Sequence, residues 1–546
     1  MSLQPDPIPP VPPETAAVAH AAFPRGNVYL HIRDLLGSIS TDDEFADLFS
    51  SRGQPAAAPW RLALVTVFQF LENLTDRQAA DAVRSRIDWK YSLSLPLMDA
   101  GWDASVLSEF RTRLVEGNVE MRLLDQLLRL CHEHGWLKER GRQRTDATHV
   151  LAKVRALNRL VCVAQTMVYV LNVLAEVAPS WVANHCPADW VTRYSHRVEH
   201  TRLPQGEAAR LSYANQVGRD GWALLEALAA DEIPEWMSSL PAVTTLRQIW
   251  EQQYVPAVDG GQWRPREQAL PAAQMINSPY DPDARYAIKN QTMWVGYKVH
   301  LSETCEDDAP RLLTQVYTTP AGINDDTALP TIHAQMAERH VLPSQHLVDS
   351  GYVDARTLVA SATGYAIEMI GPTKGNYWWQ AATGYDLTHF AIDWGAHKVY
   401  CPEGNHSTSW TPAQDGKGRD VIKVKFSQID CKPCPHRPDG TGQTRRTLTL
   451  RPQEQMEALL AARQREQTAV FREIYHQRAG IEGTHSQATR TMGLRRSRYL
   501  GVRKTHLGHV ATATAINLLR IVSWEQGIVP CQTRTPPLRA AFALVA

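Results

Sequence analysis

The chain is poor in cysteine. It has eight in 546 residues, scattered except for one Cys-x-x-Cys, which excludes a disulfide-framed secreted scaffold and points to a reducing compartment. It has no excess of either charge. Lysine plus arginine equals aspartate plus glutamate at 57 each, so the molecule as a whole is not a polycation, and any grip on nucleic acid must come from local patches. The start, MSLQPDPIPPVPPETAA, lacks a basic stretch followed by an apolar core, and its prolines read as a flexible lead rather than an address. A clean membrane span is also missing. The most apolar long stretch, Val161 to Ala178, carries Gln165, Asn172 and Glu176, each costly in hydrocarbon, so it reads as a helix buried in protein. A cytoplasmic protein without membrane spans is expected, and no internal repeat is visible.

What is present is globular. Hydrophobic residues are 44% and charged residues 21%, and the length suits three or four domains at roughly 100 to 200 residues each. After a flexible lead (1–26), residues 27–140 read as an all-α domain. Leu64, Phe68, Leu71 and Leu74 share one helical face, Thr75 and Asp76 sit where a cap would start the next helix, and Leu123, Leu124, Leu127, Leu128 and Cys131 form another apolar stripe. GRQRTDATHV (141–150) is strand-like at its end. Residues 151–289 return to a helical pattern broken by prolines and read as an insertion. From Met293 the period becomes two: WVGYKVHLSE and LLTQVYTTPAG flank an acidic turn and should pair antiparallel, after which strands alternate with helices. That succession predicts a mixed α/β sheet built from 141–150 and 290–372. Residues 373–450 look irregular, and 451–546 read as long C-terminal helices.

Three acids stand out by position. Asp146 lies in or at the end of a short strand, Asp349 ends the strand HLVDSGY, and Glu482 lies in the basic helical segment FREIYHQRAGIEGTHSQATR. Acids at strand ends are poised to meet at one rim of a sheet, and a helix packed there adds a third. Gathered carboxylates repel by about 4 kcal/mol per pair at 4 Å and an effective dielectric near 20. Divalent metal relieves this, and hard oxygen donors suit Mg²⁺. Any single acid is more often a solvated surface charge; the words around these three raise the prior.

RTDATHV, DPDARYAIKN with WVGYKVH, TTPAGINDD, LVDSGYVD, FREIYHQRAGIEGTHSQ and GLRRSRYLG occur in the order seen in DDE-type insertion-sequence transposases. The chain resembles, from about residue 55 to about 520, the branch with a helical N-terminal domain and a Cys-containing insertion before the last acid. The resemblance implies a ribonuclease-H-like catalytic core. In it Asp146, Asp349 and Glu482 would bind two Mg²⁺ ions and cut and rejoin double-stranded DNA, both element ends and target. The long helical tract after 150 and the segment 373–450 would be insertions into that core. A related signature is present as Tyr475, Arg478 and Glu482, which on one helix would share a face and hold a phosphate beside the metals. Its final lysine falls on Thr489, with Arg490 next to it as the substitute.

Between Tyr475 and His506, Arg478, Arg490, Arg495, Arg496, Arg498, Arg503 and Lys504 stand against Glu482 alone. This is a local DNA footprint, with Tyr499 as the interleaved ring; a solvated basic turn is the other reading. Lys138 to Arg144, with Arg140 and Arg142, is a weaker second patch. Cys401 with Cys431-Lys-Pro-Cys434 resembles a zinc knuckle lacking its fourth cysteine. Either His436 or His406 completes a Zn²⁺ site, or the metal has been lost. Tyr377, Trp378 and Trp379 suit packing of the insertion or the holding of an unstacked base. His149 and His300 read as structural or supporting. The expected function is a Mg²⁺-dependent transposase acting on terminal inverted repeats, working as a homodimer that pairs two ends. The alternatives are a catalytically inactive DNA-binding derivative and a ribonuclease-H-like nuclease without strand transfer.

Overall fold

In the computed structural model, which describes residues 1–198, 203–256, 261–289, 291–375, 380, 383–416 and 418–528, the period-two segments join one six-stranded sheet. Its strands are β1 (Arg140–Leu151), β2 (Arg285–Lys289), β3 (Thr292–Thr304), β4 (Leu313–Pro320), β5 (Pro343–Val348) and β6 (Glu368–Ile370). β3 lies antiparallel to β1, and its far edge pairs with β2 over Thr292 to Gly296 and then with β4 over Tyr297 to Glu303. β5 runs parallel to β1, and β6 parallel to β5. Helices Asp325–Glu338 and Ala355–Tyr365 precede β5 and β6, as parallel neighbours require. The protein is mixed α/β, as expected. One boundary moves: Arg285–Lys289, assigned by pattern to the helical insertion, is a strand of the sheet, and five residues were too few to show their period.

The N-terminal part is helical, with Leu64, Phe68, Leu123, Leu124, Leu127, Leu128 and Cys131 all buried and Thr75 making a reciprocal capping box with Gln78. Its core is continuous with the sheet. Phe68 and Leu124 share one apolar cluster with Tyr297, Val299 and Val316 and with the last helix, Val502–Glu525. The start of that helix is held by DPDA: the Asp281 and Asp283 carboxylates accept the Gly501 and Val502 N–H groups at 3.2 and 3.0 Å, where an anion meets the helix dipole. The lead expected to be flexible contains a helix, Pro13–Ala22, because Pro13 suits its first turn and Ala19 is fully buried beside Leu30 and Tyr91.

The insertion is helical and has its own core, including Cys162, Met167, Leu224, Leu246 and Trp250. Arg159–Val177 is the one described helix long and apolar enough to cross a membrane, and as expected it packs inside this core. Residues after 383 are less irregular than their composition suggested. Ser407–Gln414, Asp420–Phe426 and Thr447–Leu450 form a three-stranded antiparallel sheet over Phe390, Val399, Val424, Phe426, Leu448 and Leu450. The long helical run expected from Gln453 is three pieces, Gln453–Glu466, Ala469–His476 and Gly480–Thr491, with a 3-10 turn at Gln477–Ala479.

Candidate active site

The sheet register brings the first two acids together. Thr145 of β1 sits opposite Val348 of the parallel β5, so Asp146 and Asp349 are the next residues on adjacent strands, which run about 4.8 Å apart. Each carboxylate is fixed locally: Asp146 Oδ1 accepts the Ala147 N–H at 2.9 Å, and Asp349 Oδ1 accepts the Gly351 N–H at 2.8 Å. A Cβ at Gly351 would lie 2.9 Å from Asp349 Oδ1 and equally from Asp325 Oδ2, so a side chain there would push both carboxylates aside. Asp325 is thus a fourth acid at this rim, paired with Lys298 at 3.1 Å. It lies inside the GINDD word, yet nothing in its spacing marked it; only the sheet shows that its helix begins beside Asp349.

Glu482 arrives from the helix Gly480–Thr491, and Arg478 joins it to the strands. The Arg478 guanidinium lies 3.1 Å from Asp146 Oδ2 and 3.6 Å from Glu482 Oε1; its side chain is 15% exposed, whereas that of Glu482 is 68% exposed. Burial pulls the Arg478 pKa down, but Asp146, Tyr475, Asp349 and Glu482 together raise it above its ordinary value. Asp146 and Glu482 therefore flank one guanidinium, and Asp349, on the strand beside Asp146, adds its charge to the same place. Tyr475 is not on the same helix as Glu482, because the 3-10 turn intervenes. It stacks on Phe471 with centroids 5.5 Å apart, and burial raises its pKa. Among the described residues no group of three or more His, Cys, Asp or Glu side chains stands close enough to hold a metal.

The turn carrying Arg478 and the start of the Glu482 helix rest on a buried ionic cluster. Glu303 of β3 is fully buried and accepts from Arg144 (2.7 Å), Thr484 (2.6 Å) and Arg520 (2.7 Å). Arg144 also donates to the Gln477 carbonyl. Burial opposes the charge of Glu303, but Arg520 and Arg144 outweigh it and hold the carboxyl below the usual range. Beneath Asp349, Tyr352 is fully buried with its hydroxyl 2.6 Å from His300 Nδ1; burial pushes the imidazole down to about 3, in keeping with a supporting role.

The basic residues divide. Arg490 and Arg495 line a cleft beside Asp146 and Glu482, together with Lys289 and His149. Arg496 and Lys504 are exposed. Arg498 and Tyr499 instead serve packing: Arg498 donates to Leu74 O and Asn73 Oδ1 and covers the Phe70 ring, and Tyr499 lies under Arg111. Arg503 pairs with Glu120 at 2.7 Å. The second basic patch is likewise spent on structure, Arg140 on the Tyr365 and Ala366 carbonyls, Arg142 on Gln345 and Gln477, and Lys138 on Asp308. Such roles leave no mark in a charge count.

Cys401, Cys431, Cys434 and His436 line one small cavity of about 50 Å³, but they do not converge into a ligand set. His436 stacks on Tyr385 and faces Asp439 at 3.1 Å, and His406 lies against Tyr400. Tyr377, Trp378 and Trp379 fall outside the described residues.

Two family models match the chain. One, described as a Transposase DDE domain, covers residues 400–522 and so includes Tyr475, Arg478 and Glu482; the other, described as a Transposase domain, covers residues 17–113 of the N-terminal helices. No curated protein matches the sequence. β1 and β5, with Asp146 and Asp349, lie between the matched segments, and Arg478 links Asp146 to Glu482. With transposase models matching at both ends of one folded chain, the protein is a relative of the DDE-type insertion-sequence transposases.

Proposed function

We propose that the protein is a DNA transposase that cuts at the terminal inverted repeats of an insertion sequence and joins the freed 3′-hydroxyl to target DNA. The observation that carries this reading is Arg478 bridging Asp146 and Glu482 at the rim of a mixed sheet, with Asp349 next to Asp146 on the adjacent strand. The strand order, with β4, β3 and β1 antiparallel neighbours, β2 beside β4 on the same edge of β3, and β5 and β6 continuing parallel to β1, supports a ribonuclease-H-like core interrupted by the helical insertion after β1 and by the small β unit before Gln453. The N-terminal helices and the basic segment after Glu482 are the proposed DNA-binding parts, and the transposase relationship makes DNA the partner. A homodimer pairing two element ends completes the reading.

The donors suit the metal in kind. All three are hard carboxylate oxygens, which Mg²⁺ prefers, and Arg478 supplies in this structure the positive charge that gathered carboxylates require. Asp146 and Asp349 would hold a first ion and Glu482 would complete a second. Bound there, Mg²⁺ would supply Lewis acidity and an activated oxygen for in-line phosphoryl transfer. The chain's own residues do the positioning. The backbone N–H groups of Ala147 and Gly351 fix the two aspartates, the Glu303 cluster fixes the turn before Glu482, and Arg478 with Tyr475 sits where a phosphate would meet the acids.

The test uses DNA carrying the inverted repeats that flank the gene. Wild-type protein with Mg²⁺ is expected to nick it and, given pre-cut ends, to join them to a target plasmid. Gel shift without cutting in either Mg²⁺ or Mn²⁺ would point to an inactive DNA-binding derivative, and cutting without joining would point to a nuclease.

A further inference from the structure

The β2–β3 hairpin outruns the sheet it belongs to. β1 pairs with β3 only as far as Gly296, and β4 begins its pairing at Tyr297. From Thr292 to Val295 the strand is paired with β2 alone, a two-stranded arm about 14 Å long at 3.4 Å per residue. Two large apolar side chains stand in the open on it, Ile288 at 59% exposure and Met293 at 66%. They are direct cross-strand partners, with Lys289 opposite Thr292 one step further out, so they form one patch. Single exposed apolar residues are ordinary on a surface, whereas an adjoining pair at the end of a projecting arm marks a contact site. The next pair inward on that face, Tyr286 opposite Val295, packs against the apolar cluster shared with the N-terminal helices. The cover stops one pleat short of Ile288 and Met293.

The arm stands at the mouth of the candidate active site. Alternate residues of a strand share a face, as do directly opposed residues of neighbouring strands. Met293 is therefore on the face of Leu301, and Leu301 is opposite Asp146. Lys289 lines a cleft of about 480 Å³ with Asp146, Glu482, Arg490 and Arg495, and Ile288 and Lys289 line another of about 280 Å³ with Asp325 and Trp294. The hairpin end is a wall common to both. Charge and size indicate what the apolar pair meets. Lys289 and Arg490 are exposed, and a cationic border suits a nucleic acid, whereas the centre of a protein interface is depleted in charge. The larger cleft has the volume of a cube about 8 Å on a side, narrower than the roughly 12 Å major groove alone. It admits one strand and not a duplex. Parting the strands unstacks a base step at a cost of a few kcal/mol, which inserted apolar side chains such as Ile and Met offset.

We propose that the end of this hairpin is an apolar wedge. Ile288 and Met293 enter a base step of duplex DNA beside the bond to be cut and open it, so that one strand passes to the acids. The proposal rests on the DNA reading above and extends it from cutting the substrate to opening it. The test uses the full chain in EDTA and a duplex of the inverted repeat that flanks the gene, with 2-aminopurine placed in turn across the junction of repeat and flank. Anisotropy of an end label reads binding, and 2-aminopurine fluorescence reads unstacking. Wild type should bind and raise the fluorescence at least about twofold at the junction, as one step unstacks. The double variant Ile288→Thr/Met293→Thr keeps residues suited to a strand and should melt as wild type does. It should bind within about threefold of wild type, because the lost contact and the avoided unstacking offset each other, but without the rise. Met293→Thr alone should lose part of it. In Mg²⁺ the double variant should cut the paired duplex at least about tenfold more slowly, and mismatches at the junction should restore the rate. Binding by wild type with no rise, or an equal rise in the folded double variant, would overturn the wedge and leave the DNA reading standing. Lost self-association in the variant with the rise intact would make the patch a contact between copies and would also overturn it. A wild type that does not bind the duplex would overturn the DNA reading, and the wedge with it.

Discussion

At the residue scale, the site is supported by groups that charge counting passes over. Glu303 was one acid among 57 acidic residues, yet burial with two arginines makes it the anchor of the turn before Glu482. Glu303→Ala leaves Arg144 and Arg520 without their shared partner and should cost about 3–5 kcal/mol, read as a fall in denaturant midpoint. The sign with pH follows from its depressed carboxyl pKa. Its contribution is complete above the ordinary glutamate value of about 4.3 and is lost as pH falls through the lower folded value. A second acid-sensitive element lies directly below Asp146. Thr145 Oγ1 meets His346 Nε2 at 2.5 Å, and His346 Nδ1 meets His333 at 2.8 Å. Burial holds both imidazoles down, His333 to about 4. The unfolded chain takes up those protons first, so thermal stability should decline as pH falls from about 6.5 towards 4. The decline should be shallower in His346→Asn, and an identical pH profile for the two proteins would contradict this.

At the element scale, β1 was legible as a short strand with an acid in it, but its register was not, and register is what sets Asp146 beside Asp349. The constraint that holds it is Gly296 of β3. A Cβ at that position would lie 2.1 Å from Val150 O and 2.6 Å from Ala152 N, both backbone atoms that cannot swing aside. Gly296→Ala should therefore destabilise by about 1–3 kcal/mol through overpacking and should lower the melting temperature. An unchanged melt would mean that β1 and β3 are not in the described register. The helical elements were readable because their apolar spacing is long and regular. The strands Ser407–Gln414 and Asp420–Phe426 lie in the stretch that reads as irregular, although DVIKVKF alternates, because they are short and set among glycines and prolines. The break at Gln477–Ala479 also left no sequence signal, and it separates Tyr475 from the Glu482 helix.

At the scale of the whole molecule, the acids and the order of the motifs could be read from the sequence, whereas the sharing of arginines between DNA and domain packing could not. Arg495, Arg496 and Arg498 are nearly adjacent and identical in type, but Arg498 is turned onto Phe70 and Asn73 of the N-terminal helices. Arg498→Ala should lower thermal stability and leave the salt slope of DNA binding unchanged, whereas Arg496→Ala, at an exposed position, should reduce that slope by about 0.9 on duplex DNA with little change in melting. The reverse pattern would reassign the two residues. The N-terminal helices, the sheet and the last helix share one apolar core, so the parts that would grip DNA are packed directly on the part that would cut it.

The most direct test of the account is Mg²⁺-dependent strand cutting of inverted-repeat DNA by wild type and by Asp146→Asn, Asp349→Asn and Glu482→Gln, with gel shift as a control for binding. Wild type should cut, and each variant should lose at least about a thousandfold of the rate, about 4 kcal/mol of barrier, while still binding the DNA. Cutting by Asp349→Asn at the wild-type rate would contradict it.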